Sequence, residues 1–197
     1  RSAGLIETIY PAPLSLAAIT RVLRALLEDG IPIGHPLPIF ASLSRAVMQT
    51  VDHDRLIELV RADLGSLIVG RICAPYERLP VVTLDASLEQ AIVQGMHDPV
   101  SNQPVIEPDL ARMIGERISD LAASRGANAT PLALVVQPRA RRVLAALLRL
   151  RAPSVLVLSI SELPQTQPIE VVDVVGAQPQ QAALPEPQII EPMDMAA

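Results

Sequence analysis

The hydrophobic residues between positions 14 and 76 recur with the spacing of amphipathic helices. The first stripe follows Ser15, a residue type that caps helix N-termini, and stops before Gly30, which suits a left-handed C-cap. The third stripe follows another capping residue, Asp52, and ends near Arg71. The predicted inward-facing residues are Ile19, Val22, Leu23, Leu26 and Leu27, then Phe40, Leu43 and Val47, then Ile57, Val60, Leu64, Leu67 and Ile68. We therefore predict a three-helix subdomain at residues 14–76, after a proline-containing lead-in at 1–13.

The period of the hydrophobic pattern changes near residue 77. Short runs of β-branched and aliphatic residues, typical of buried strands, alternate there with helical stripes. The predicted strands cover residues 79–84, 104–106, 132–136, 155–159 and 169–175. The predicted helices are a short one capped by Asp85, one over 108–124 and one over 139–151. This alternation predicts a small α/β sandwich subdomain at residues 77–176, so the whole chain is of mixed α+β and α/β class.

Residues 177–197 consist mainly of Pro, Gln, Glu and Ala. Such a composition provides too little contiguous apolar surface to offset the conformational entropy that ordering would cost. We predict that this segment is a disordered, Pro-rich tail.

The helix predicted at 139–151 carries an unusual number of arginines. On a wheel of about 100° per residue, five aliphatic residues form one face and most of the arginines lie opposite them. The aliphatic residues are Val143, Leu144, Leu147, Leu148 and Leu150; Arg139, Arg142 and Arg149 lie opposite, Arg141 lies at the edge, and Arg151 lies in the last turn, where the helix dipole favours a cation. The pattern favours a crossover helix with a solvated arginine side. An acidic protein partner, a neighbouring subunit, and a phosphate or RNA contact are the alternatives, the last weakened because no aromatic platform accompanies the arginines.

Composition narrows the function classes. The 197 residues carry a formal net charge of −5, which argues against a nucleic-acid binder because such proteins neutralise phosphates with a basic surface. All the basic residues are Arg, and only 2% of the residues are aromatic, so the core must be aliphatic. The single Cys73 excludes an internal disulfide and is expected to be a small buried hydrophobe. We expect no membrane-spanning segment, because no apolar run reaches about 18 residues.

No catalytic or cofactor pattern is recognisable. None of the predicted strands leads into a glycine-rich phosphate loop, and the three His residues lie in separate segments without metal-ligand spacing. Ser159 and Ser161 have no nearby His, while Glu89 and Glu116 are single carboxylates on helix faces. Because catalysis needs converging groups with tuned pKa values, we expect a non-enzyme without a cofactor.

Four segments resemble the FlhA family of flagellar export-gate proteins. They read PLSLAAITRVLRALLEDGIPI from Pro13, DRLIELVRADLG from Asp54, LPVVTLDASLEQAI from Leu79 and VLVLSISELPQTQPIEVVDVVG from Val155. The resemblance is collinear over about residues 5–176, and the Leu-Glu-Gln triplet that starts at Leu88 favours the flagellar branch over the injectisome paralogues. Two positions depart from the family pattern: IGHP, which starts at Ile33, lacks the usual Asp cap, and Ile160 replaces a Tyr.

The resemblance implies the helical and the α/β subdomains at the end of a cytoplasmic, ring-forming half of an export gate. It implies a location at the cytoplasmic face of the bacterial inner membrane, with membrane attachment only through an N-terminal half that is not in this sequence. The implied partners are neighbouring copies in a ring, other flagellar export components, and export substrates or their chaperones.

Charged residues of both signs on the predicted solvent side of the helical subdomain are candidates for subunit or partner contacts. Such a mixture fixes the register in which two protein surfaces meet. They are Arg21, Arg24, Glu28, Arg55 and Glu58.

The alternative function is a small-molecule-binding α/β domain or an enzyme of unknown chemistry. It would require a pocket with convergent polar groups at the carboxyl ends of the strands.

Overall fold

The computed structural model describes residues 4, 7, 9–100, 104–126 and 129–176, so the predicted tail at 177–197 lies outside the described residues. The first part is helical. Its helices are α1 (Leu16–Glu28), α2 (Pro36–Ala46), α3 (His53–Asp63) and α4 (Gly65–Val69). Ser15 and Asp52 cap α1 and α3 by accepting hydrogen bonds from the amides of Ala18 and Arg55, as predicted.

The third predicted helix is divided into α3 and α4. Leu64 ends α3, and Gly65 begins the separate, five-residue α4. A Cβ on Gly65 would lie 2.1 Å from the carbonyl oxygen of Glu162, so only glycine permits this close approach to the chain that follows β3. The sequence pattern missed the break because the apolar spacing continues through it. Two residues of the helical part that were predicted to face inward are exposed instead, Leu27 at 50% and Leu67 at 59%.

The second part contains a four-stranded sheet in which all neighbouring strands are parallel. Its strands are β1 (Leu79–Leu84), β2 (Ala133–Val136), β3 (Leu156–Ser159) and β4 (Ile169–Val175), in the spatial order β3-β2-β1-β4. The helices between them are α5 (Ala86–Gln94), α6 (Pro108–Ser124) and α7 (Pro138–Arg151). A 3₁₀ turn, Ile160–Glu162, follows β3 directly. This arrangement confirms the predicted class of a helical part followed by a small α/β part.

Two hydrophobic cores lie on opposite faces of the sheet, which is why β1 and β2 are almost continuously apolar. The helical part covers one face and shares its core with sheet residues Leu79, Val81, Ala133, Val135 and Leu158. Helices α5 to α7 cover the other face and pack on Val82, Leu84, Leu134, Val136, Val157 and Val175. The division into 14–76 and 77–176 stays a prediction, and the two segments meet through the first of these cores.

Three expectations for the second part are wrong. Residues 104–106 form no strand: Pro104 makes only an isolated antiparallel bridge with His97, since proline has no amide to donate to a ladder. Leu150 is 88% exposed, because about 200° separates it on the helix from Leu148, which is buried. Arg141, expected at the solvated edge, is 1% exposed. It lies one turn from Leu144, within the buried stripe of α7.

Candidate functional site

Five charged residues from four separate parts of the chain meet between the helical part and the outer edge of β3. Asp29 caps α1, Glu58 and Arg61 lie on α3, Arg141 lies on α7, and Glu162 ends the 3₁₀ turn. We call these five residues the ionic cluster. Arg61, Arg141 and Glu162 are at most 1% exposed, which is rare for charged residues unless they are paired.

Arg61 and Glu162 form the centre of the ionic cluster. Arg61 donates from Nε to Glu162 Oε1 over 3.0 Å and from NH2 to Glu162 Oε2 over 2.7 Å, which is the two-pronged geometry that guanidinium and carboxylate groups favour. Its NH1 donates to Asp29 Oδ2 over 3.0 Å. The contact therefore ties α3 to the end of α1 and to the chain after β3.

Arg141 brings α7 into the same network. Its NH2 donates to Glu58 Oε1 over 2.6 Å, its Nε lies 3.0 Å from Glu58 Oε2, and its NH1 donates to Asp29 Oδ2 over 2.9 Å. Burial alone would lower the pKa of Arg141, but the hydrogen bonds and charge of Glu58, with the charges of Asp29 and Glu162, raise it above its usual value. Arg141 is therefore permanently charged, and α7 is held to α3 by a fixed ion pair.

Glu162 is positioned by its own turn. Ser159 donates to Glu162 Oε1 from its amide over 3.3 Å and from its hydroxyl over 3.2 Å, which forms a capping box at the start of the 3₁₀ turn. Arg61 NH2 also lies 3.5 Å from the carbonyl oxygen of Val157 on the open edge of β3. The ionic cluster thus covers the carboxyl half of this edge, which protects it from pairing with another strand.

The charges of the ionic cluster do not balance by themselves. Two guanidinium groups face three carboxylates, so the third cation must come from outside. Arg149 supplies it: its NH2 lies 3.4 Å from Asp29 Oδ1, and its side chain is about half exposed. Since buried ions stabilise a fold only when they are neutralised and hydrogen-bonded, Arg149 completes the network at the solvent boundary.

The structure separates the residues predicted as contacts. Arg21, Arg24 and Glu28 are exposed on α1, and Arg55 is exposed on α3. Glu58 has its carboxylate bound to Arg141 in the ionic cluster.

Sequence reasoning missed the other members of the ionic cluster, although two of them left a signal. Arg61 follows Ile57 by four residues, and Arg141 precedes Leu144 by three, so each falls on an apolar helix face where a charge is unexpected. Asp29 and Glu162 left no such signal.

At the carboxyl ends of β1 and β2, where an α/β enzyme would place its site, polar side chains hold the amino ends of the following helices. Asp85 accepts hydrogen bonds from the hydroxyl and from the amide of Ser87, and these lower the pKa of its carboxyl group. Glu89 accepts from the amide of Gln137 over 2.5 Å and from its side-chain nitrogen over 3.1 Å. Two grooves in the described part of the chain lie instead beside the amino ends of β2 and β3. Among the residues that the structure describes, no three His, Cys, Asp or Glu side chains converge as a metal site.

Residues 1–168 match the FHIPEP family. The chain belongs to the FHIPEP family. Among curated members, it is 31% identical to the flagellar biosynthesis protein FlhA of Bacillus subtilis over 174 residues, which cover 86% of this chain and 26% of that protein. This FHIPEP chain therefore spans about a quarter of the length of such relatives.

Two solved structures illustrate the fold that this chain shares with other proteins. The Shigella flexneri MxiA protein superposes with a TM-score of 0.75 at 23% identity, covering 89% of this chain and 56% of that one. The nonameric SctV-C of enteropathogenic E. coli (EPEC) superposes with a TM-score of 0.73 at 22% identity, covering 89% and 52%. At these identities the likeness shows the fold alone, and the shared fold covers most of both the helical and the α/β parts. No described helix is both long and apolar enough to cross a membrane.

Proposed function

We propose that this FHIPEP chain is the end of the cytoplasmic part of a type III export gate of the FlhA kind. The observation that carries the proposal is the family match over residues 1–168, together with 31% identity to a flagellar FlhA protein. In this role the chain is non-catalytic and acts through contacts with neighbouring copies, other export components, and export substrates or their chaperones. Its place is at the cytoplasmic face of the inner membrane.

A chimera tests this role. The 174-residue region of the Bacillus subtilis FlhA protein that aligns with this chain is replaced by the corresponding residues of the chain. We expect the chimera to restore swimming and secretion of flagellar proteins above the level of a strain that lacks the region. A chimera that accumulates normally in the membrane and yet secretes no more than the deletion strain would contradict the proposal.

We also propose that the solvent side of α1 and the start of α3 form the contact between neighbouring copies. Leu16 and Leu27 expose apolar surface on α1, and Arg21, Arg24 and Glu28 lie on the same helix as charges of both signs. Arg55 adds a further exposed charge from α3. A repeated contact between two different surfaces closes a ring, and the nonameric assembly of SctV-C shows such closure in a protein of the same fold. We leave Glu58 out of this surface because its carboxylate is bound to Arg141.

Charge reversal tests the contact. Arg21→Glu with Arg24→Glu in the chimera should reduce ring assembly, measured by crosslinking in membranes, while leaving the thermal unfolding of the isolated chain unchanged. Arg139→Glu, an exposed arginine on α7, is the matched control and should assemble normally. If both variants assemble to the same extent as the unmodified chimera, the contact lies elsewhere.

The alternative of a small-molecule-binding domain or an enzyme has less support. It requires a pocket at the carboxyl ends of the strands, and Asp85 and the Glu89–Gln137 pair occupy that edge as helix caps. Turnover of a substrate by the isolated chain would favour the alternative.

A further inference from the structure

The outer edge of β3 is covered along only half of its length. The ionic cluster covers the carboxyl half, from Val157 to Ser159. The amino half opens into a groove of about 300 Å³ between α7 and the helical part. The groove is lined by residues 153–157 of the β3 segment, by Ile68 and Ile72 on one side, and by Ala145 on the other.

The backbone of β3 points into this groove. Leu156 donates its amide to Leu132, the residue before β2, so in a parallel ladder the carbonyl of Val155 and the amide of Val157 point away from β2. The contact between Arg61 and the Val157 carbonyl confirms this direction. The groove therefore offers an acceptor, a donor and an apolar floor, which are the elements by which a sheet edge binds an extended peptide.

Arginines stand at the rim. Arg71 donates to the carbonyl of Gly30, and Arg149 makes one long contact to Asp29. Each guanidinium has five N–H donors, so both keep donors that no other described residue takes. Glu28 lies at the same rim and is negatively charged, opposite in sign to the two arginines. An occupant that suits this groove is extended, has aliphatic side chains and carries a carboxylate.

The chain contains one such segment beyond its described part. Gln188, Ile189, Ile190 and Glu191 lie between Pro187 and Pro192, which limit strand pairing to these four residues. The segment lies beyond residues 1–168, the part of the chain that matches the family.

The segment can reach the groove. Residue 176 follows the end of β4, three strand positions from β3, which is roughly 14 Å. The register places Val175 about three residues, or roughly 10 Å, beyond the level of Leu156. Residues 177–187 span up to about 36 Å when extended, which exceeds the direct separation of about 17 Å and allows a path around the end of the sheet.

We propose that Gln188–Glu191 of the same chain docks in this groove as a short fifth strand beside β3. Its two isoleucines would then face opposite walls, one toward Ile68 and Ile72 and the other toward Ala145, with Glu191 at Arg71 or Arg149. A segment too poor in apolar residues to fold alone is ordered when a groove supplies the missing surface. The docked segment occupies the half of the β3 edge that the ionic cluster leaves open. The inference is independent of the ring contact proposed above.

Backbone order parameters of the full chain test the proposal. In the unmodified chain, residues 188–191 should show values above ~0.6 and residues 178–183 values below ~0.6, the level that separates ordered from flexible backbone. Glu191→Arg and Ile190→Asp should each lower the order parameters of residues 188–191 below that level. Each should also remove the protection of the Val157 amide against hydrogen exchange. Glu186→Arg, the same charge change outside the four residues, is the control and should alter neither.

The rim is tested from the other side. Arg149→Glu or Arg71→Glu should release the segment, and combination with Glu191→Arg should restore its order. If a rim variant unfolds the chain, the tail variants decide, because they leave every described residue unchanged. Values below ~0.6 for residues 188–191 in the unmodified chain would overturn the proposal. Order that disappears on dilution would overturn it as well, by assigning the groove to another copy.

Discussion

Arg61 shows at the residue scale how a single buried charge organises this protein. It is fully buried, and its guanidinium group contacts two carboxylates and lies near a backbone carbonyl on the edge of β3. Burying an ion costs several kcal/mol, and the cost is offset only while all partners remain in place. The ionic cluster is therefore sensitive to the loss of any one member.

We predict that Arg61→Met lowers the free energy of unfolding by about 3–5 kcal/mol, because Glu162 stays buried without its main counter-ion. Arg45→Met is the matched control. Arg45 also pairs with a carboxylate, at 2.8 Å from Asp63, but both side chains are exposed, and an exposed pair contributes about 0.2–1 kcal/mol. Urea unfolding followed by circular dichroism measures both. Similar losses in the two variants would mean that the cluster is not a buried ion network.

Local chemistry made some residues predictable from the sequence and left others hidden. The caps Ser15, Asp52 and Asp85 depend on neighbours two or three positions away, and the structure confirms all three. Cys73 is buried as expected, and burial and the charge of Glu77 raise the pKa of its thiol. The partners in the ionic cluster are up to 112 positions apart, and one sequence without relatives contains no information on such pairs.

At the scale of elements, helix and strand periods located almost every segment, and the errors arose where a neighbour decides the outcome. Helix α7 was predicted within one residue, but its buried stripe is centred on Arg141, Leu144 and Leu148 rather than on its leucines alone. A helix wheel assigns hydrophobic residues to the core. It cannot show that a carboxylate on the facing helix, here Glu58 on α3, pairs with Arg141. The break between α3 and α4 likewise lies against a distant part of the chain, since the backbone of Glu162 packs on Gly65.

The close packing at the break between α3 and α4 predicts that a methyl group added at Gly65 destabilises the fold. Gly65→Ala should lower the free energy of unfolding by about 1–3 kcal/mol, because the added Cβ overlaps the Glu162 backbone and forces it to move away from Arg61. Gly34→Ala is the control, since nothing lies within 4 Å of the added group and the backbone is not left-handed there. Its effect should stay within about 0.5 kcal/mol. Thermal or urea unfolding decides, and a neutral Gly65→Ala variant would show that the two segments are further apart in solution.

For the whole molecule, the sheet is the shared support of two helical layers. The helical part buries one face through Leu79, Val81 and Leu158, and the ionic cluster ties the same part to α7 and to the chain after β3. The two edges of the sheet differ. At the β3 edge, the ionic cluster covers the carboxyl half and a groove lies beside the amino half. At the other edge, β4 exposes Ile169, Val171 and Val174. The period change near residue 77 marks a change of secondary structure, and it gives no information on whether the two parts fold separately.

We predict that the two parts fold as one unit. A fragment of residues 77–197 would leave a face of the sheet uncovered and would keep Arg141 and Glu162 without Asp29, Glu58 and Arg61. It should lack a cooperative urea transition and bind a hydrophobic dye, as loosely packed states do. The full chain should unfold in a single transition whether followed by circular dichroism or by the exposure of Cys73 to a thiol reagent. A fragment that unfolds sharply, with a midpoint close to that of the full chain, would instead establish two independent subdomains and reduce the ionic cluster to a contact between them.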